Sequence, residues 1–258
     1  MSRWMVAPRN RVGFIDEYRG FFVIIMVIYH VMYNVVHVFG VSWSFFDSPF
    51  MNVVQRIIVG SFIVVSGISS RYSKKNIKRG FVVLGVAFMI TAVTVYFIPE
   101  QAIYFGVLHF LGIAMILYGM TKKLHNILPC FWGVVLMVLL AVVTWGIPYS
   151  GTVGIPFLFY VPVPEILYGT PYLFALGLPG TGFFSADYVP IIPWIFVFFA
   201  GGYLGVFFEQ NVMPRWMYKT HSRFLTAVGK KALIIYVLHQ PIAFGILWLV
   251  FFGLQYIG

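Results

Sequence analysis

The sequence predicts an all-α polytopic membrane bundle of about seven transmembrane helices, and three observations carry that prediction. Of 258 residues, 61% are hydrophobic and only 9% are charged, whereas a soluble domain carries roughly 25% charged residues. The apolar residues fall in runs long enough to cross a ~30 Å hydrocarbon core as helices. Sixteen of the seventeen Lys and Arg residues lie in stretches on one side of these alternating runs, where orientation signals belong. That bias places the N-terminus in the cytoplasm and the C-terminus outside. The net charge of +10 is thereby explained by topology and does not point to nucleic acid. The single Cys130 excludes an internal disulfide and a cysteine-based metal cluster.

Residues 1–19 read as a short basic arm, a surface helix carrying Arg3, Arg9, Arg11 and Arg19. The first span runs from Gly20 to Val41, 22 residues without formal charge. It is too long for the core of a cleavable leader and lacks a small-residue cleavage site. The second span is Met51 to Ser69, with Gln55 and Arg56 inside it, and is followed by RYSKKNIKR. The third span, Gly80 to Ile98, turns at Pro99 and Glu100 into the fourth, Ala102 to Met120, interrupted only by His109. A basic loop, TKKLHN, leads to the fifth, Ile127 to Trp145. Residues 148–187 hold six prolines and no Lys or Arg. They read as a hydrophobic extracytoplasmic segment, re-entrant or interfacial, because proline and short runs preclude a full crossing. The sixth and seventh spans are Val189 to Phe208 and Ala232 to Leu254. No internal repeat and no domain boundary is visible, so the whole chain reads as a single membrane domain.

Polar groups inside apolar spans are costly and mark candidate sites. At about 100° and 1.5 Å per residue, Arg19 and His30 share one helix face roughly 16 Å apart, and Asn34 and His37 follow on it. His30, His109 and His239 fall at similar depth on three different spans, which suggests a shared polar cavity. Imidazole titrates near neutrality and serves as a general base or an acyl-accepting nucleophile. Packing between helices and a three-histidine metal site are the competing readings. Arg56 either snorkels to the outer interface or faces the cavity. Asp187 either caps the sixth span or holds an acceptor hydroxyl or amine. The stretch from Arg71 to Arg79 either sets topology alone or, with Arg19, Lys230 and Lys231, clamps a phosphate-rich ligand at the cytoplasmic face.

Five pieces, RVGFIDEYRGFFVIIMVIYH, GSFIVVSGISSRYSKKNIKRG, YFGVLHFLGIAMILYG, FFSADYVPIIPWIFVFFAGGYLG and GKKALIIYVLHQP, come in this order in the chain. Together they resemble the catalytic domain of heparan-alpha-glucosaminide N-acetyltransferase and its prokaryotic relatives. The arginine, ten residues, then histidine of the first span is also similar to the signature of the acyltransferase-3 membrane proteins. The resemblance implies an integral membrane acyltransferase of a prokaryotic cytoplasmic membrane, surrounded by membrane lipid. It would move an acetyl group from cytoplasmic acetyl-CoA to a hydroxyl or amine of an extracytoplasmic sugar or glycan, a lipid-linked glycan among the candidates. A thioester is reactive enough that no metal is expected. By resemblance His30 is the reaction centre, with His239 and Asp187 beside it. Arg19, Arg71, Lys74, Lys75, His109 and Lys231 form the donor site. Lys74 stands where the acyltransferase-3 pattern would show arginine, and His109 where human-type relatives tend to carry glutamine. The alternative is a non-enzymatic proton or solute carrier built on the mid-membrane histidines.

Overall fold

A computed structural model describes residues 12–155 and 157–257. The basic arm over residues 1–11 lies outside these described residues. The helices are α1 (Gly13–Tyr33, continued by a π turn over Asn34–Val38), α2 (Pro49–Tyr72), α3 (Asn76–Phe97), α4 (Val107–Thr121) and α5 (Cys130–Thr144). A single turn α6 (Ile147–Ser150) precedes the strands β1 (Thr152–Ile155) and β2 (Phe159–Pro162), and α7 (Ile191–Glu209), α8 (Arg223–Lys230) and α9 (Ala232–Ile257) follow. Six helices, α1, α2, α3, the one beginning at Cys130, α7 and α9, are long and apolar enough to cross a membrane. The protein is thus an integral membrane helix bundle.

The chain divides into two compact units, Met1–Phe62 with Met213–Gly258, and Ile63–Val212, the boundary falling inside α2. In the first unit α1 packs along α8 and against α9. Glycine permits the α1–α8 approach. A Cβ on Gly20 would strike the carbonyl oxygen of Leu225, and one on Gly229 would strike that of Asp16. The first helix starts at Gly13 and not at Gly20, because its acidic residues are buried with partners instead of lying in solvent. Glu17 accepts hydrogen bonds from the backbone N–H groups of His221 and Ser222 at the start of α8. Negative charge at a helix N-terminus, where N–H groups lack intrahelical partners, is favourable.

In the second unit α3 packs along α4 and α5 along α7. Small residues again set the spacing: Gly67 of α2 lies against Phe198 of α7, and Gly201 of α7 against Val64. Phe110 and Phe198 are wholly buried between these helices. The fourth helix starts at Val107 and not at Ala102. A 3-10 turn over Pro99–Gln101 precedes it, and residues 102–106 are pinned instead by Ala186 N–H to Ala102 O (3.1 Å) and Val189 N–H to Phe105 O (3.2 Å). Its fifteen residues extend about 22 Å, short of the ~30 Å core, so it is the one predicted span that is not of full crossing length. Residues 148–187 contain the hairpin β1–β2, in register from Thr152↔Pro162 to Ile155↔Phe159, and 3-10 turns at Glu165–Leu167 and Leu173–Leu176. Phe157, Tyr160, Ile166 and Tyr172 on it are exposed.

Gly229→Val should destabilise the protein by about 2 kcal/mol or more, since the added carbons meet backbone that cannot yield. The thermal midpoint in detergent reads this. An unchanged midpoint would contradict the α1–α8 packing.

Candidate active site

The first unit gathers polar groups of α1 and α9 inside an apolar surround. Asn34, 4% exposed, and His239, 7% exposed, are buried. The Asn34 amide donates to Gln240 Oε1 at 2.9 Å, and Gln240 Nε2 lies 3.1 Å from His30 Nδ1. An amide nitrogen only donates, so with the amide in this orientation His30 Nδ1 is the acceptor and its ring proton sits on Nε2. The His239 ring stands beside that of His30, centroids 4.9 Å apart. His239 Nδ1 lies 2.7 Å from the Tyr236 carbonyl oxygen. A carbonyl only accepts, so His239 carries its proton on Nδ1 and keeps a bare lone pair on Nε2. That Nε2 is buried with no hydrogen-bond partner among the described residues. The two imidazoles therefore differ: one offers an N–H and the other a lone pair.

Local sequence explains the arrangement. His30 and Asn34 are four residues apart and so lie one above the other on α1. The π turn begins at Asn34 and adds residues to the turn that follows. His37 consequently leaves the predicted stripe. Its ring lies tilted against that of Tyr33, and its Nε2 lies 3.3 Å from Asp47 Oδ1 in the following loop. In α9, Pro241 lies inside the helix beside Gln240 and lacks the N–H that would serve the Val237 carbonyl. Arg19, on the first turns of α1, has Asp16 Oδ1 at 3.2 Å.

Of the other predicted site residues, His109, Asp187, Arg71, Lys74 and Lys75 belong to the second unit and Lys231 to the first. His109 lies in the second unit, where it serves the start of α4. Its Nδ1 accepts from Gly106 N–H at 3.2 Å, and its Nε2 stands 3.2 Å from Thr91 Oγ1, which donates to Ile103 O at 2.6 Å. Phe105 stacks on the ring and Phe88 meets it edge-on. Asp187 Oδ2 accepts from Val107 N–H at 3.2 Å, so the carboxylate caps α4 and not the helix that follows it in sequence. Arg71 is held by Glu209 Oε2 at 2.7 Å and Asn126 Oδ1 at 2.7 Å. Lys74 and Lys75 are exposed at the turn between α2 and α3, and Lys231 is exposed after α8. Arg56 is exposed on α2. Among the described residues no group of three His, Cys, Asp or Glu is placed to hold a metal ion.

Gln240 is the residue that spacing arguments underrate, since an amide carries no charge and sits beside a more conspicuous histidine. Counting the hydrogen bonds that a polar group inside an apolar helix must find would have flagged it. Glu209 and Glu17 were hidden differently, because their partners are distant in sequence.

The sequence matches the family profile described as "Heparan-alpha-glucosaminide N-acetyltransferase, catalytic" over residues 11–241. The chain belongs to this family. The match spans residues of both units, including every histidine discussed above. It makes the protein a member of a transmembrane acetyltransferase family and weighs against the carrier reading. Comparison with curated proteins and with solved structures returned no match.

The Arg71–Glu209 pair should act as a staple between α2 and α7. Replacing Arg71 by Gln and Glu209 by Gln, singly and together, should reveal a coupling of about 0.5–1 kcal/mol in thermal stability. Strict additivity would show that the pair contributes nothing.

Proposed function

We propose that this protein transfers an acetyl group from cytoplasmic acetyl-CoA to a hydroxyl or amine of an extracytoplasmic sugar, with His30 and His239 at the reaction centre. The family supports the acetyl chemistry and the membrane setting. The observation that carries the site is the buried, unpartnered Nε2 of His239, on a ring whose centroid lies 4.9 Å from that of His30. A buried lone pair with no donor is unfavourable for stability alone, and it is what a general base requires.

In this reading His239 Nε2 takes the proton of the acceptor hydroxyl or amine. The acceptor oxygen or nitrogen bonds to the acetyl carbon, and His30 Nε2–H donates to the carbonyl oxygen as negative charge develops there. The carbon–sulfur bond then breaks, and His239 returns its proton to the CoA sulfur. Gln240 positions His30 by holding Nδ1, which keeps the ring proton on the side facing the chemistry. In this reading His30 is a donor, although an imidazole in its place could equally serve as base or nucleophile. His30 is not the acyl-accepting nucleophile in this reading, because its Nδ1 is engaged and its Nε2 is protonated. Apolar helices around the pair exclude water, which protects the thioester and strengthens each hydrogen bond. Arg19 and Lys231 remain the cationic candidates of this unit for the donor phosphates. The match over residues of both units supports reading the chain as one acyltransferase domain.

His239→Ala should lower kcat for acetyl transfer in proteoliposomes by about 10²–10⁴-fold, the contribution of a positioned base. His30→Ala should cost about 10²–10³-fold, the loss of one oxyanion donor, and Gln240→Ala less than either. Full activity in His239→Ala, from protein that remains monodisperse, would remove the proposed base. Arg19→Ala should raise the KM for acetyl-CoA while leaving kcat nearly unchanged; an unaltered KM would take Arg19 out of the donor site.

A further inference from the structure

The second unit carries a cleft of about 1000 Å³ at the cationic end of α3 and α4. Lys74, Lys75 and Lys78 line it from the α2–α3 turn and the start of α3, and Lys122 from the end of α4. Lys122 is oriented by the carbonyl oxygens of Arg71 (2.8 Å) and Ser73 (3.2 Å). Ser73 and Asn76 lie beside the lysines, and Ile77, Phe81, Val82 and Gly119 make the apolar part of the wall. Phe81 and Val82, one to two turns further along α3, are 62% and 56% exposed. They face outward from a helix that is long and apolar enough to cross a membrane. Close packing of Gly119 on Ile77 leaves the cleft its floor.

We propose that this cleft binds one anionic phospholipid of the cytoplasmic leaflet. Six or seven residues of α-helix separate Lys75 from Phe81 and Val82, about 9–11 Å. This is a suitable span from a phosphate at the membrane surface to the first carbons of an acyl chain. The lysine ammoniums complement the phosphate, and their stems lie along apolar wall as such side chains do at an interface. A polar, water-borne phosphate ligand would engage the lysines alone, whereas a phospholipid engages the lysines and the apolar wall together. CoA is such a ligand, and the sequence reading gave it Lys74 and Lys75. Arg71, the cation best suited to a bidentate phosphate contact, is turned instead to Glu209 and Asn126. The proposal stands independently of the histidine chemistry, which belongs to the other unit.

The test is native mass spectrometry of the full chain released from nanodiscs of equal phosphatidylglycerol and phosphatidylcholine. The protein should retain phosphatidylglycerol in preference to phosphatidylcholine. The triple variant Lys74→Gln, Lys75→Gln, Lys78→Gln should lose that preference by at least about five-fold, since each lysine near an anionic surface contributes roughly 1 kcal/mol. Monodispersity of the variant shows that it is folded, and Phe81→Ser supplies a second variant that keeps all charges and should shorten retention. Equal retention of the two lipids, or an unchanged preference in the triple variant, overturns the proposal. Displacement of the bound lipid by CoA also overturns it and returns the lysines to the donor.

Discussion

A polar group inside an apolar helix must find its hydrogen bonds from another side chain or pay several kcal/mol for the lack. In the first unit one amide answers this constraint for two helices at once. Gln240 of α9 accepts from Asn34 and donates to His30, both on α1. The contact joins the helices, fixes the orientation of the His30 ring and decides which of its nitrogens bears the proton. Next to it, the backbone of α9 makes the opposite choice for His239, whose Nδ1–H is held by the Tyr236 carbonyl. Two neighbouring imidazoles of opposite polarity are a consequence of how the helices satisfy their polar groups.

In the second unit the polar atoms gathered at the start of α4 answer the same constraint. His109, Asp187 and Ser185 between them accept the backbone N–H groups of residues 104 to 107, where α4 begins without intrahelical partners. Arg71, Glu209 and Asn126 close on one another. Groups whose hydrogen bonds are complete hold the fold. The distinction that matters for chemistry is which atoms are left open, and there the buried Nε2 of His239 stands apart from the nitrogens of His109. Lys74, Lys75 and Lys78, exposed around the α3–α4 cleft, stand close to the apolar Phe81 and Val82.

Much of this was legible in the sequence, because long uncharged runs leave few alternatives to spanning helices. His30, Asn34 and His239 were found by the same logic, being polar where polarity is costly. Three features were hidden for definite reasons. The burial of Asp16 and Glu17 in α1 was missed because Glu17 caps α8, some two hundred residues away in sequence. Helix α4 reads as a full span from its apolar composition, yet residues 102–106, bonded by Ala186 and Val189, lie outside the helix. The roles of His30 and His239 could not be assigned from residue type, since a neutral imidazole has two tautomers and only its neighbours choose between them. Arg71 shows the converse: a residue in the right place for a phosphate clamp whose partner, Glu209, is supplied by a distant helix.

The central claim is that His239 presents a bare Nε2 while His30 presents Nε2–H. Nitrogen NMR of ¹⁵N-histidine-labelled protein in bilayers near neutral pH, with the two rings identified through His30→Asn and His239→Asn, tests it directly. The account predicts a neutral His239 protonated on Nδ1 and a neutral His30 protonated on Nε2. The same tautomer on both rings, or a proton on His239 Nε2, would contradict it.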